Sequence, residues 1–152
     1  MAHSVTFAEE DISAIFDEVH ALAEMNHAET TPQSGAIKLD VKRAAYCGLA
    51  QSGMLATFTV RDGGELVGYS TWMLSQNLHY DGNWGSCLTT WLHPLYRRGM
   101  TAMRFQKFID EHLIGRGCDR LMSESNDKFP GMGLVLQRRG YKPATHSYIR
   151  VV

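Results

Sequence analysis

The stretch richest in chemistry is Leu92-His93-Pro94-Leu95-Tyr96-Arg97-Arg98-Gly99-Met100-Thr101-Ala102. A β-rich run ends in it, and Ala102, Phe105, Phe108, Ile109 and Leu113 follow at helical spacing, so it predicts a strand-to-helix turn. A helix start carries unsatisfied N–H groups and partial positive charge; two arginines and a glycine beside it make a site for a diphosphate. Gly99 lets backbone approach an anion closely, and Thr101 can cap the helix or donate its hydroxyl. The same residues read about equally well as solvated charges on a loop, because basic turns before helices are common. Glu124 falls near the carboxyl end of a predicted strand, where α/β proteins place ligands; it suits a base acting directly or through water, or a solvated carboxylate. His79 and Tyr80 lie in a polar loop with Asn77, Asp81, Gly82 and Asn83, a setting for an acceptor-side role or for plain surface groups. His20, Glu24 and His27 share one helix flank at i, i+4 and i+7, which reads as solvated rather than metal-binding without a second contributing element.

The elements that must position these groups follow from periodicity and punctuation. Thr6 and Glu9 have capping-box spacing, and Ile12, Ile15, Phe16, Val19, Leu22 and Ala23 then predict an amphipathic helix. A polar turn spans Thr30 to Gly35, after which Asp40 is placed to cap a second helix that ends near Gly53. Residues 54–61 are β-rich, Asp62-Gly63-Gly64 is a hairpin turn, and a strand runs from Glu65 to Gln76. A third strand covers Gly85 to Leu92. After the basic turn and its helix, closed by Gly115 and Gly117, Cys118 to Ser125 predicts a strand completing a βαβ crossover. Gly131 to Arg139 predicts a helix stopped by Gly140, and Tyr141 to Val152 one or two closing strands. The order ααββ(β)αβαβ is an α/β class with a mixed sheet and helices on its faces.

At 152 residues with 44% hydrophobic and 20% charged, the chain suits one domain, 1–152, with a real core. A net charge of -1 gives no field for general nucleic-acid or membrane-surface binding, so an anion site must be local. Apolar runs fall far short of the roughly 20 residues of a membrane helix, and Met1-Ala2-His3-Ser4 lacks signal-peptide character; a soluble, cytoplasmic protein is expected. Cys47, Cys87 and Cys118 are odd in number and widely spaced, which argues for buried thiols over disulfides or zinc.

The turn from Arg97 to Ala102 resembles the signature of the GNAT superfamily of N-acetyltransferases: Arg or Gln, two residues, Gly, one residue, then Gly or Ala. Arg97 and Ala102 match the ends; Met100 stands where the first glycine belongs, with Gly99 one place earlier. Pro94-Leu95-Tyr96-Arg97 is similar to the family's lead-in, Gly140-Tyr141 to its Gly-aromatic pair, and Asn126 follows the next strand as expected. The His79-Tyr80 loop and short length resemble small bacteriophage acetyltransferases. The resemblance implies a mixed, mostly antiparallel central sheet flanked by about four helices, with a splayed parallel strand pair. It also implies acetyl-coenzyme A as donor and an amine acceptor, with no nucleic acid or membrane partner and room for a homodimer. Backbone groups of Trp91, Leu92 and His93 would pair with the pantetheine amides and supply an oxyanion donor. Amides of Arg98, Gly99, Met100, Thr101 and Ala102 would hold the pyrophosphate, aided by the Arg97 and Arg98 side chains. No Gly-x-Gly-x-x-Gly fingerprint supports a Rossmann site instead.

Many relatives use a tyrosine as general acid at the position of Leu136, so Tyr80, Tyr141, Tyr148, His79 or His93 would have to replace it unless solvent does. The implied first two helices wall the acceptor pocket, where Glu29 could meet a cationic amine. The implied activity is direct acetyl transfer in a ternary complex. Its rivals are a GNAT-fold protein that has lost transfer, which Met100 and Leu136 keep open, and transfer of a longer acyl group.

Overall fold

A computed structural model describes residues 4–30 and 38–150. Of the turn expected from Thr30 to Gly35, Thr30 is the last residue of a helix and residues 31–35 lie outside the described residues, as do the ends at 1–3 and 151–152. The chain begins with β1 (Val5–Glu9), not with a capping box. Val5 and Phe7 alternate with Thr6 and Ala8, and β1 pairs antiparallel with β2, Phe7 opposite Val60. The Phe7 ring sits 5.5 and 5.8 Å from those of Phe105 and Phe108. The cap of α1 (Ile12–Thr30) is Asp11, whose Oδ1 accepts the Ser13 N–H at 2.9 Å. Ile12, Ile15, Phe16, Val19, Leu22 and Ala23 are buried, the stripe expected from spacing.

In α2 (Arg43–Gln51) the N-cap is Lys42 with no side-chain bond; Asp40 instead pairs with the Lys42 ammonium. Gly53 closes it in the left-handed region at φ +75°. The hairpin of β2 (Leu55–Asp62) and β3 (Glu65–Gln76) turns on Gly63 and Gly64, at φ +57° and +93°. Two positive φ values are what a two-residue turn needs to match strand twist. β4 (Asn83–Leu92) continues the antiparallel order, α3 (Thr101–Gly115) crosses over, and β5 (Arg120–Met122) runs parallel to β4. The sheet order is β1-β2-β3-β4-β5, and α4 (Pro130–Arg138) follows.

Two apolar layers cover the sheet. Phe58, Val60, Trp72, Phe105, Ile109 and Leu113 pack on the α3 face; Leu55, Leu66, Tyr69 and Trp91 pack against α1. The expected closing strands do not form: residues 141–150 have no regular structure, with Tyr148 and Ile149 93% and 92% exposed. Tyr141 is anchored by donating its hydroxyl to Asp110 at 2.7 Å. Beyond it, residues 142–150 pair with neither edge strand of the sheet, β1 or β5, and propensity without a partner does not hold a strand. Among the described residues no helix is long and apolar enough to cross a membrane.

Candidate active site

The site is a gap between two parallel strands. β4 pairs with β5 only at Trp84–Arg120, Gly85–Leu121 and Ser86–Met122. A bulge then breaks the β3–β4 ladder: Thr71 faces Thr89 and Trp72 faces Cys87, which leaves Leu88 as the extra residue. Such a bulge bends its strand. From Cys87 to Leu92, β4 runs on with β3 at one edge and, among the described residues, no strand at the other.

Alternation decides which backbone groups face the gap. The His93 N–H donates to the Val67 carbonyl at 2.8 Å, so His93 belongs to a hydrogen-bonded pair with β3. Trp91, two residues back and opposite Tyr69, also faces β3. Leu92 and Thr90 therefore direct their N–H and C=O groups into the gap. Of the three residues expected to meet pantetheine, Leu92 alone has both backbone groups on the open edge. The His93 ring is occupied in the turn, where Nδ1 accepts the Leu95 N–H at 3.3 Å.

The end of the gap nearest α3 is an uncapped helix start behind a glycine turn. Gly99 adopts φ +76°, with open space where a Cβ would stand. Met100 is the N-cap at φ -98°, with no side-chain cap. The left-handed residue is thus the glycine one place early, and Met100 needs no special conformation. The first-turn N–H groups of α3, which have no intrahelical acceptors, point out of an uncapped end. These groups fit a diphosphate.

Arg97 has a different task from the one its spacing suggests. Its Nε donates to the Leu92 carbonyl at 2.7 Å, its Nη2 to Glu29 Oε2 at 2.7 Å, and its Nη1 to Glu29 Oε1. Its guanidinium lies 5.6 Å from the Trp91 ring centre, and Trp91 Nε1 donates to the same carboxylate at 2.8 Å. The Arg97 guanidinium holds the Glu29 carboxyl below its ordinary range. Arg97 therefore ties the end of α1 to the end of β4, while Arg98, exposed like Arg97, makes none of these contacts.

Below the bulge lies a cluster that spacing alone did not reveal. Trp72 Nε1 donates to Ser70 Oγ at 2.7 Å, Ser70 Oγ and Thr90 Oγ1 are 2.6 Å apart, and Thr90 Oγ1 is 3.2 Å from Cys87 Sγ. Ser123 Oγ is buried near Cys87 without a well-directed hydrogen bond. Burial pushes the Cys87 thiol up, so it stays protonated at neutral pH. These residues meet because the bulge changes the register between β3 and β4, which leaves no mark in local periodicity.

The remaining expected residues do not converge. Glu124 is exposed just past β5, close enough to Cys87 to raise its thiol further. Asn126 spends its Oδ1 on the Lys128 N–H at 2.9 Å, in the turn that leads to α4. His79 and Tyr80 lie at the other end of the sheet, where Tyr80 meets Arg120 at 6.0 Å. The length of β4, roughly 30 Å, separates them from the α3 end. Tyr148 is solvent-exposed, and Tyr141 is committed to Asp110, which also accepts Arg139 Nε at 3.0 Å. Burial, then the Asp110 bond, raises the Tyr141 hydroxyl far above its ordinary value. Leu136, at the usual acid's position, is buried.

Comparison of the sequence with family models gives no match, nor does comparison with curated proteins. The fold does match solved structures. A ribosomal-protein-alanine N-acetyltransferase from Brucella melitensis biovar Abortus 2308 superposes with a TM-score of 0.74 at 14% identity, over 99% of this chain and 100% of that one. An aminoglycoside acetyltransferase from an uncultured soil metagenomic sample, in complex with sisomicin, gives 0.71 at 10%, over 98% and 96%. A predicted acetyltransferase from Clostridium acetobutylicum, with acetyl-CoA, gives 0.73 at 10%, over 97% and 96%. The chain has the fold of the GNAT acetyltransferases.

Proposed function

We propose that the protein is an N-acetyltransferase that brings acetyl-coenzyme A and an amine together and transfers the acetyl group directly. The observation that carries this is the open β4 edge at Thr90 and Leu92, running up to the uncapped start of α3. An extended chain of amides can add to that edge as a strand would, and its diphosphate then meets the N–H groups from Arg98 to Ala102. Arg98 supplies the side-chain charge. The Leu92 N–H, aimed into the gap, is our oxyanion donor. Glu124 takes the amine proton through water at the exposed mouth. With Leu136 in place of an acid, the departing sulfur receives its proton from solvent, with the Ser123 hydroxyl as a relay.

Direct transfer is favoured over an acyl-cysteine because Cys87 is half-buried among hydroxyls, with its thiol pushed up rather than activated. A second reading, binding without transfer, draws on Leu136 and on the engagement of Arg97. Incubation with acetyl-coenzyme A and a panel of amines, followed by measurement of free thiol, separates the two. Saturable amine-dependent release is expected; tight binding without release favours the second reading, and no binding overturns both.

A further inference from the structure

A cavity of about 240 Å³ opens between α1 and the sheet, and its chemistry narrows the acceptor. Its walls are Phe16, Val19 and Ala23 of α1, Tyr46 of α2, Val41, and Tyr69 of β3. One end is polar: Asn26 Nδ2 donates to Thr89 Oγ1 at 3.1 Å, the buried Tyr69 hydroxyl lies close to the same two side chains, and His27 stands beside them. Thr89 belongs to β4 next to the bulge, so the polar end is the one nearest the gap. The volume exceeds the roughly 150 Å³ that holds one benzene, yet falls below the roughly 300–1,000 Å³ of pockets that enclose a drug-sized ligand.

The decisive feature is charge. None of the described lining residues is a carboxylate. Glu29, the carboxylate at this end of α1, is already matched by Arg97 and Trp91. A polycation entering the cavity would leave its extra ammonium groups desolvated and unpaired, which is strongly unfavourable in an apolar site. A single amine at the end of an apolar body meets the hydroxyl and amide groups near β4 and leaves its body against rings and branched chains.

Resting on the acetyltransferase reading, we infer that the acceptor is a small primary monoamine with an aromatic or branched apolar body, not a polyamine or aminoglycoside. The full chain with acetyl-coenzyme A is assayed by thiol release against 2-phenylethylamine, spermidine and kanamycin. Separately, saturation-transfer NMR reads binding of 2-phenylethylamine with no donor present, in the native chain and in Tyr46→Ala. Expected are a kcat/KM for 2-phenylethylamine about tenfold or more above the polycations, equal to roughly 1.4 kcal/mol, and a ring-proton signal that Tyr46→Ala weakens while the circular-dichroism spectrum stays native. Preference for spermidine or kanamycin overturns the inference and leaves acetyl transfer standing. Absence of the ring-proton signal in the native chain also overturns it. A ring-proton signal without thiol release from any amine supports the pocket chemistry and overturns the acetyltransferase reading instead.

Discussion

Arg97 distinguishes a structural tie from a phosphate contact, and Arg97→Ala tests which it is. The side chain makes one bond to the Leu92 carbonyl and a two-point contact to Glu29, and it lies over Trp91. Hydrogen bonds to charged groups are worth about 1.5–3 kcal/mol, but Arg97 and Glu29 are 35% and 24% exposed, and solvent screens them toward the ~1 kcal/mol of surface pairs. A loss of about 1–2 kcal/mol is expected, or roughly 2–8 °C in Tm for a chain of this size. Glu29→Gln, which keeps an acceptor for Trp91 Nε1, should cost a similar amount, and the double variant less than the sum because the two residues share one interaction. Arg98→Ala should leave Tm unchanged and weaken acetyl-coenzyme A about tenfold in a calorimetric titration, for the loss of one charge-assisted contact of about 1.4 kcal/mol. If Arg97→Ala melts like the native chain while losing acetyl-coenzyme A tenfold, the arginine is a phosphate ligand and the tie to Glu29 is incidental.

Two further outcomes follow from groups around the sheet. Cys87→Ser should keep steady-state thiol release within about threefold; a loss approaching roughly a millionfold, the scale of a deleted nucleophile, would falsify direct transfer. Glu10 accepts from Arg61 Nε at 2.9 Å and Nη2 at 3.1 Å, and Arg61 holds its carboxyl below the ordinary 4.5. The folded state then binds fewer protons than the unfolded one, so this stabilisation is present above pH 4.5 and fades as pH falls through the folded value. Denaturant melts at pH 3 to 7 should show a flatter acid limb for Glu10→Gln, and an unchanged limb would remove Glu10 as a source of acid sensitivity.

Most of the scaffold is legible where a segment carries its own period. The α1 stripe, the Gly63-Gly64 hairpin and the α3 stripe each satisfy a local rule, and each forms within a few residues of where that rule puts it. Legibility fails where a partner far along the chain decides. Thr6 and Glu9 have the spacing of a capping box, but Val5 and Phe7 have the alternation of a strand, and the strand wins because Phe7 finds Val60 on β2 and two phenylalanines on α3. At the other end, residues 141–150 have strand-like composition but pair with neither edge strand of the sheet. β5 is cut to three paired residues because Asn126 turns the chain toward α4 so soon after Met122.

The site repeats this lesson at finer scale. Arg97 and Arg98 are adjacent cations in the same turn, and nothing local tells a tie from a ligand. What separates them is Glu29, 68 residues earlier, whose carboxylate matches the fork of Arg97 and leaves Arg98 in solvent. Gly99, one place before the expected glycine, matters only once its φ of +76° is seen to set the chain for an α3 start that no side chain caps. A motif therefore names the turn, and the distant carboxylate assigns the charges within it. Because Arg97 also covers the Leu92 carbonyl, a pantetheine amide N–H that donates to that carbonyl must share it with Arg97 or displace it, and Glu29 is the residue that sets how readily Arg97 yields.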